Sequence, residues 1–278
     1  TVALALRCVY GTAVSSGVDA LTTYVASANE FVVDRPYGGR VNRVGSFDGI
    51  ETLTGGDASD TFDIQANIDN LYGADNADEF TLAPGVQVIN IYAGGGNDDV
   101  DLGEASMVTL IDGGDGSDLF RVGLDVVVND VIDGGDGISP RQGTNAKGDI
   151  INFSGDYLDL TEFGAALTFY FDSSGDQGEF PAINIETQVA PSDTITTVYG
   201  SALGANFWRI DNEDVHIASN GKERTFNGSR LRLVGGQFGD SFTFDSQNTS
   251  VERISATDNS AADNITGANF TSLWNIDG

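Results

Sequence analysis

Aspartate is the residue type in this 278-residue chain whose spacing could do chemistry. Asp60, Asp78, Asp98 and Asp118 each close a glycine-rich turn, at steps of 18, 20 and 20 residues. Residues so evenly spaced fall on one line when the intervening segments stack as repeats. The line would hold carboxylates about 4.8 Å apart, each neighbouring pair repelling by roughly 3 kcal/mol at an effective dielectric constant near 20. Hard, oxygen-seeking cations between them would reverse that sign. Calcium accepts about six to eight oxygens in flexible geometry, so carboxylates mixed with turn carbonyls suit it better than magnesium. No cysteine or histidine stands at these positions, which excludes zinc. The turns also carry an earlier aspartate (Asp57, Asp75, Asp115, Asp136) and glycines such as Gly55 and Gly113 whose carbonyls are candidate ligands. A turn aspartate capping backbone amides without metal explains one such turn, and explains four in register poorly.

The elements that must position these carboxylates are visible in the same repeat. Residues 53–64 (LTGGDASDTFDI), 71–82 (LYGADNADEFTL), 91–102 (IYAGGGNDDVDL) and 111–122 (IDGGDGSDLFRV) align without gaps. Each reads as an apolar strand, a tight turn and a second strand. In that second strand Phe62 and Ile64, Phe80 and Leu82, Val100 and Leu102, Phe120 and Val122 alternate with polar residues. Glycines 55, 56, 113, 114, 134 and 135 are expected to supply the positive φ of a sharp corner. A fifth turn begins at residues 132–137 and is expected to resume at 148–153 (GDIINF), with 138–147 looped out, so that Asp149 joins the line. Looser copies run through Asp240 and Asp263. One strand pair cannot bury its own face, whereas stacked pairs can. The expected fold is all-β, a parallel β-solenoid (β-helix- or β-roll-like) of roughly 20-residue coils.

Residues 113–121 (GGDGSDLFR) match the nonapeptide Gly-Gly-x-Gly-x-Asp-x-U-x position for position, and residues 55–63 match with Ala58 in place of one glycine. Residues 47–153 therefore resemble the RTX, or hemolysin-type, calcium-binding repeat family, and the blocks between look similar to long repeats of giant bacterial surface and adhesin-like proteins. The resemblance implies calcium held between stacked turns by glycine-turn carbonyls and the sixth-position aspartate. This chain departs from the family in carrying one nonapeptide per coil rather than a tandem pair. Metal is therefore expected on one edge, and plain strand packing on the other.

A longer repeat overlies the short one. Residues 29–33 and 47–56 resemble residues 206–210 and 226–236, with Phe226 lying 179 positions after Phe47. Phe31 is expected on Phe207 or Trp208. A third start appears at residues 273–278, where Trp274 matches Trp208. The organisation expected is residues 1–46 as irregular or strand coils, 47–153 as calcium-binding repeats, 154–205 as variable coils with insertions, and 206–278 as a second long repeat. A last coil begun and unfinished suggests a piece of a longer array, whose open edge would self-associate end to end.

Composition limits the partners. Forty-two acidic against 13 basic residues give a net charge of -29, which repels nucleic acid and anionic lipid. The longest apolar run, residues 163–171, is too short to insert in a membrane. Cys8 is the single cysteine, so packing and metal must supply what disulfides would. His216 has no nucleophile motif around it, and periodic carboxylates belong to a repeat rather than to an acid–base dyad. The expectation is a non-enzymatic, calcium-binding structural or adhesive segment of a secreted or cell-surface protein, its further ligand a surface or a polysaccharide. Two alternatives stand beside it: the calcium-binding secretion or folding region of an exported hydrolase, and a β-helix enzyme acting on polysaccharide. The scatter of so few basic residues argues against a groove for anionic sugars.

Overall fold

In the computed structural model the residues described are 20–22, 30–41, 45–164, 167–170, 182–189, 196–201, 204–211, 214–228, 230–236, 238–245, 251–255, 264–267 and 276–277. Asp263, Trp274 and most of residues 266–278, on which the third repeat start and the end-to-end expectation rest, lie outside them. Among the described residues every regular element is a β-strand, and no helix is long and apolar enough to cross a membrane. The chain divides into two compact units, Thr1–Asp156 and Tyr157–Gly278.

In the first unit each repeat contributes one strand to each of two parallel ladders. One ladder runs through Thr52–Gly56, Ile68–Asp75, Gln87–Gly96, Met107–Gly116 and Val127–Asp133. The other runs through Glu30–Arg35, Thr61–Ile64, Glu79–Leu82, Asp99–Leu102 and Leu119–Val122. The register is the one the sequence alignment requires. Leu53, Leu71, Ile91, Ile111 and Ile132 pair in turn, as do Phe62, Phe80, Val100 and Phe120. Both columns are buried. A one-residue slip would turn every one of these side chains to the opposite face, so burial fixes the pairing. Phe31, Phe62 and Phe80 stack face to face with centroids 4.8 and 4.6 Å apart, the spacing of the strands themselves.

The fifth repeat departs from expectation. Pro140–Thr144 and Ile150–Ser154 form an antiparallel hairpin, and Asp149 lies exposed at its turn. Pairing these two strands with each other consumes the segment expected to rejoin the ladder. The chain returns instead at Asp156, whose carboxylate receives the Asp118 amide at 2.7 Å.

The two segments matched by the long repeat share a strand topology. In the first unit Glu30–Arg35, Gly38–Val41 and Gly45–Asp48 form an antiparallel meander, with Phe31 opposite Val41 and Gly39 opposite Phe47. In the second unit Phe207–Asp211, Asp214–Ser219 and Lys222–Asn227 do the same, with Trp208 opposite Ile217 and Val215 opposite Phe226. Phe31 pairs in parallel with Phe62, and Trp208 with Phe242. Trp208, not Phe207, is therefore the counterpart of Phe31: it is buried on Phe242 at 5.3 Å, whereas Phe207 is 62% exposed. A second parallel ladder in this unit joins Leu167–Tyr170, Thr196–Tyr199, Leu231–Val234, Val251–Ser255 and Ile276–Asp277.

Candidate metal centre

Asp60, Asp78, Asp98 and Asp118 occupy equivalent places just before the second strand of each repeat, and all four are buried. A fixed hydrogen bond links each to the next. The Asp60 amide donates to Asp78 Oδ1 at 2.6 Å, that of Asp78 to Asp98 Oδ1 at 2.7 Å, and that of Asp98 to Asp118 Oδ1 at 2.8 Å. Asp156 ends the file in this unit. One oxygen of Asp78, Asp98, Asp118 and Asp156 thus holds the backbone of the preceding repeat, which is a structural duty.

The other oxygen divides the file. Asp60 Oδ2 accepts the Gly56 amide at 2.7 Å. Asp78 Oδ2, Asp98 Oδ2 and Asp118 Oδ2 are buried without any hydrogen-bond partner. The difference lies in the turn: Ala74, Gly94 and Gly114 have φ of +88°, +114° and +90°, and no amide from these residues is bonded to the carboxylate there. An unpaired buried carboxylate oxygen is costly, more so in a file of like charges. Burial is the main cause that pushes Asp78, Asp98 and Asp118 up to about 7, with the charge of the preceding aspartate adding to it. The amide bonds they accept, and Arg141 in the case of Asp98 and Asp118, pull the other way.

The glycines serve this arrangement differently from expectation. Gly114 and Gly135 have positive φ, whereas Gly55, Gly56, Gly113 and Gly134 do not. What Gly55 and Gly113 provide is room. A methyl group on Gly55 would collide with Asp60 Oδ2 and the Gly73 carbonyl oxygen, and on Gly113 with Asp118 Oδ2 and the Gly134 carbonyl oxygen. Carboxylate and carbonyl oxygens therefore converge on the first glycine of the turn. The earlier aspartates Asp57, Asp75, Asp115 and Asp136 are all exposed, away from this buried line.

The second unit carries a shorter version. Asp240 is buried, with the Gly236 amide on Oδ2 at 2.7 Å and the Asn206 amide on Oδ1 at 2.9 Å. Asn206 takes the aspartate's place in the preceding repeat: its Oδ1 accepts the Ser201 amide, and its Nδ2 donates to Asp240 Oδ1 at 2.8 Å. Its file is satisfied by an amide where the first unit uses acids. Asn206 and Asp156 were both missed from the sequence, although each stands two residues before a buried apolar residue, as Asp60 does before Phe62.

A separate group, Asp211, Asp214 and His216, brings one ligand atom from each residue within 4.8 Å and could hold a metal ion. Asp211 and Asp214 face each other across a hairpin, and His216 lies two residues farther along the same face. The histidine Nδ1 is 3.0 Å from Thr225 Oγ1, and the Asp214 carboxylate already accepts Asn227 Nδ2 at 2.8 Å. His216 is half-buried on the strand Asp214–Ser219.

No family model, no curated protein and no solved structure matches this chain.

Proposed function

We propose that this chain is a calcium-binding structural segment, a parallel β-solenoid of about 20-residue coils, from a large exported or cell-surface protein, with no catalysis of its own. The observation that carries this reading is the run of three buried carboxylates, Asp78, Asp98 and Asp118, each with one oxygen left without a partner. Holding a carboxyl ionised when burial has lifted it from 3.8 to about 7 costs about 4 kcal/mol. One such cost is already a large fraction of the stability of an ordinary domain. Above neutral pH the file needs positive charge between its members.

The donor set fits calcium, being carboxylate and carbonyl oxygens with no sulfur or imidazole nitrogen along the line. Asp78, Asp98 and Asp118 would hold the ion through Oδ2, with the Ala93 carbonyl near Asp78 and the Gly134 carbonyl near Asp118. Asp60 and Asp240 are already satisfied by the amides of Gly56 and Gly236 and need no ion. When bound, calcium supplies the countercharge that lets acids stack at strand spacing. The chain's own residues do the rest: backbone amides fix Oδ1, and Gly73 and Gly113 leave room for the carboxylates of Asp78 and Asp118, with Ala93 in that place before Asp98. The resemblance of residues 113–121 to the RTX nonapeptide supports the same ion.

Extracellular calcium would then stiffen the repeats that carry the file, and end-to-end self-association and a surface or polysaccharide ligand belong to this reading as its partners. The test is thermal melting at pH 8 in chelator, in calcium and in magnesium. Calcium is expected to raise the melting temperature well above the other two. Identical melting in all three conditions would refute the proposal.

A further inference from the structure

The hairpin that interrupts the fifth repeat delivers a charge to the file. Its two roots are fastened to one residue: Ser117 Oγ donates to the Ser139 carbonyl at 2.8 Å and accepts the Ser139 and Gly155 amides, both at 2.9 Å. Between the roots, Arg141 reaches back across the repeats. Its Nη1 donates to the carbonyls of Asp98 at 3.0 Å and Ser117 at 2.8 Å, and its Nη2 pairs with Asp99 Oδ1 at 2.5 Å. The guanidinium lies over the Phe153 ring at 5.3 Å and is largely buried, its side chain 12% exposed. Arg121 holds the other oxygen of Asp99 at 3.7 Å and donates to the Thr144 carbonyl on the same hairpin at 3.0 Å. Leu119, though it points away from the Phe120 column, is fully buried, with Phe153 and Gly143 near it.

A buried guanidinium is costly unless its surroundings are negative. Arg141 finds that surrounding in the Asp99 carboxylate, next in sequence to Asp98, and in the carbonyls of Asp98 and Ser117. Its charge acts on Asp98 and Asp118, opposed there by the charge of Asp99, and is absent from the influences on Asp78. It also occupies two backbone carbonyls of the turns around Asp98 and Asp118, oxygens that a calcium ion there would otherwise have to itself.

We infer that Arg141 is a resident countercharge for the Asp98–Asp118 level of the file, so that this level is held together by the protein itself and calcium loads more tightly beside Asp78. This rests on the calcium reading for its second half only. The sequence supports the assignment through economy: the one insertion within residues 47–153 carries an arginine in a chain with 13 basic residues, and that arginine is placed on the file.

The experiment uses the full chain with Arg141→Gln, Arg141→Lys, Asp118→Asn and the Arg141→Gln/Asp118→Asn double variant, each melted in chelator and in calcium at pH 8. Arg141→Gln is expected to lower the melting temperature in chelator more than in calcium, so the gain from calcium widens. Calorimetric titration should show the weakest calcium site tightening on the order of tenfold, or about 1.4 kcal/mol. Arg141→Lys should restore most of the wild-type behaviour. In chelator, losing Arg141 should cost clearly less when residue 118 is already neutral. Equal losses in chelator and calcium together with no coupling to Asp118 would overturn the inference while leaving the calcium reading intact. A wild-type chain indifferent to calcium, yet with Arg141 coupled to Asp118 in chelator, would instead refute the calcium reading and keep the countercharge.

Discussion

Asp98→Asn separates the structural duty of the file from its electrostatic one. The asparagine keeps the shape and keeps Oδ1, so the Asp78 amide retains its acceptor. Asn206 fills the same position in the second unit, with Oδ1 on the Ser201 amide of its own turn and Nδ2 on Asp240 Oδ1, so a neutral amide at this position has a precedent within this chain. What it removes is one charge from a buried row. The ionised Asp98 carboxyl, lifted to about 7 chiefly by burial, costs about 4 kcal/mol above neutral pH. Relaxation of the file and of nearby water returns part of that, so a gain of roughly 2–3 kcal/mol in chelator at pH 8 is expected. For a unit of this size that corresponds to roughly 4–12 °C in melting temperature. In calcium the sign reverses, because a carboxylate that would face the ion is gone and Asn offers a weaker oxygen. The assay is a pair of melts per protein, with chelator and with saturating calcium, followed by circular dichroism. If Asp98→Asn destabilises by the same amount in both conditions, the residue serves only to hold the backbone, and the argument from the unpartnered oxygens is refuted.

Three further outcomes follow from the same geometry. The folded-state carboxyls of Asp78, Asp98 and Asp118 lie near 7 against 3.8 when free, so the fold binds the additional protons between those values. In chelator, stability should be fullest near pH 4, fall as the pH rises through about 7 and level off above it, as urea unfolding across that range would report; calcium should abolish the fall. Asp156→Ala strips the acceptor from the buried Asp118 amide and should cost about 1–3 kcal/mol in urea unfolding, whereas Asp149→Ala at the exposed hairpin turn should change it by less than about 0.5 kcal/mol. Gly116→Ala should cost roughly 3 kcal/mol or more, since φ there is +147° and a methyl group would strike the Gly96 carbonyl; soluble yield and urea midpoint check it.

What was legible in the sequence was what repeats. The alternation of Phe62, Phe80, Val100 and Phe120 and the steps of 18, 20 and 20 residues specify the ladder register residue by residue. Asp156 was hidden because the insertion before it contains its own glycine-aspartate pair at 148–149, a local turn signal indistinguishable from the repeat's. Asn206 was hidden because it both accepts the Ser201 amide and donates to Asp240, a pairing that a search for aspartates does not find. The division between Asp60 and the three acids after it turns on whether a backbone amide swings toward Oδ2, a matter of φ at residues 56, 74, 94 and 114 that residue types do not specify: Ala74 adopts the positive value without being glycine. The meeting of Asp211, Asp214 and His216 required knowing that a hairpin turns between them. Arg141 lies 43 positions from the carbonyl of Asp98 that it grips, and no spacing rule connects the two.

The central claim is that the unpartnered oxygens of Asp78, Asp98 and Asp118 exist to face a cation, and crystals grown in calcium at pH 8 test it most directly. Anomalous scattering should place calcium within about 2.3–2.6 Å of Oδ2 in that run, with none beside Asp60 or Asp240. A file free of anomalous density at saturating calcium, its three carboxyls still stacked on the Asp60, Asp78 and Asp98 amides, would contradict the account.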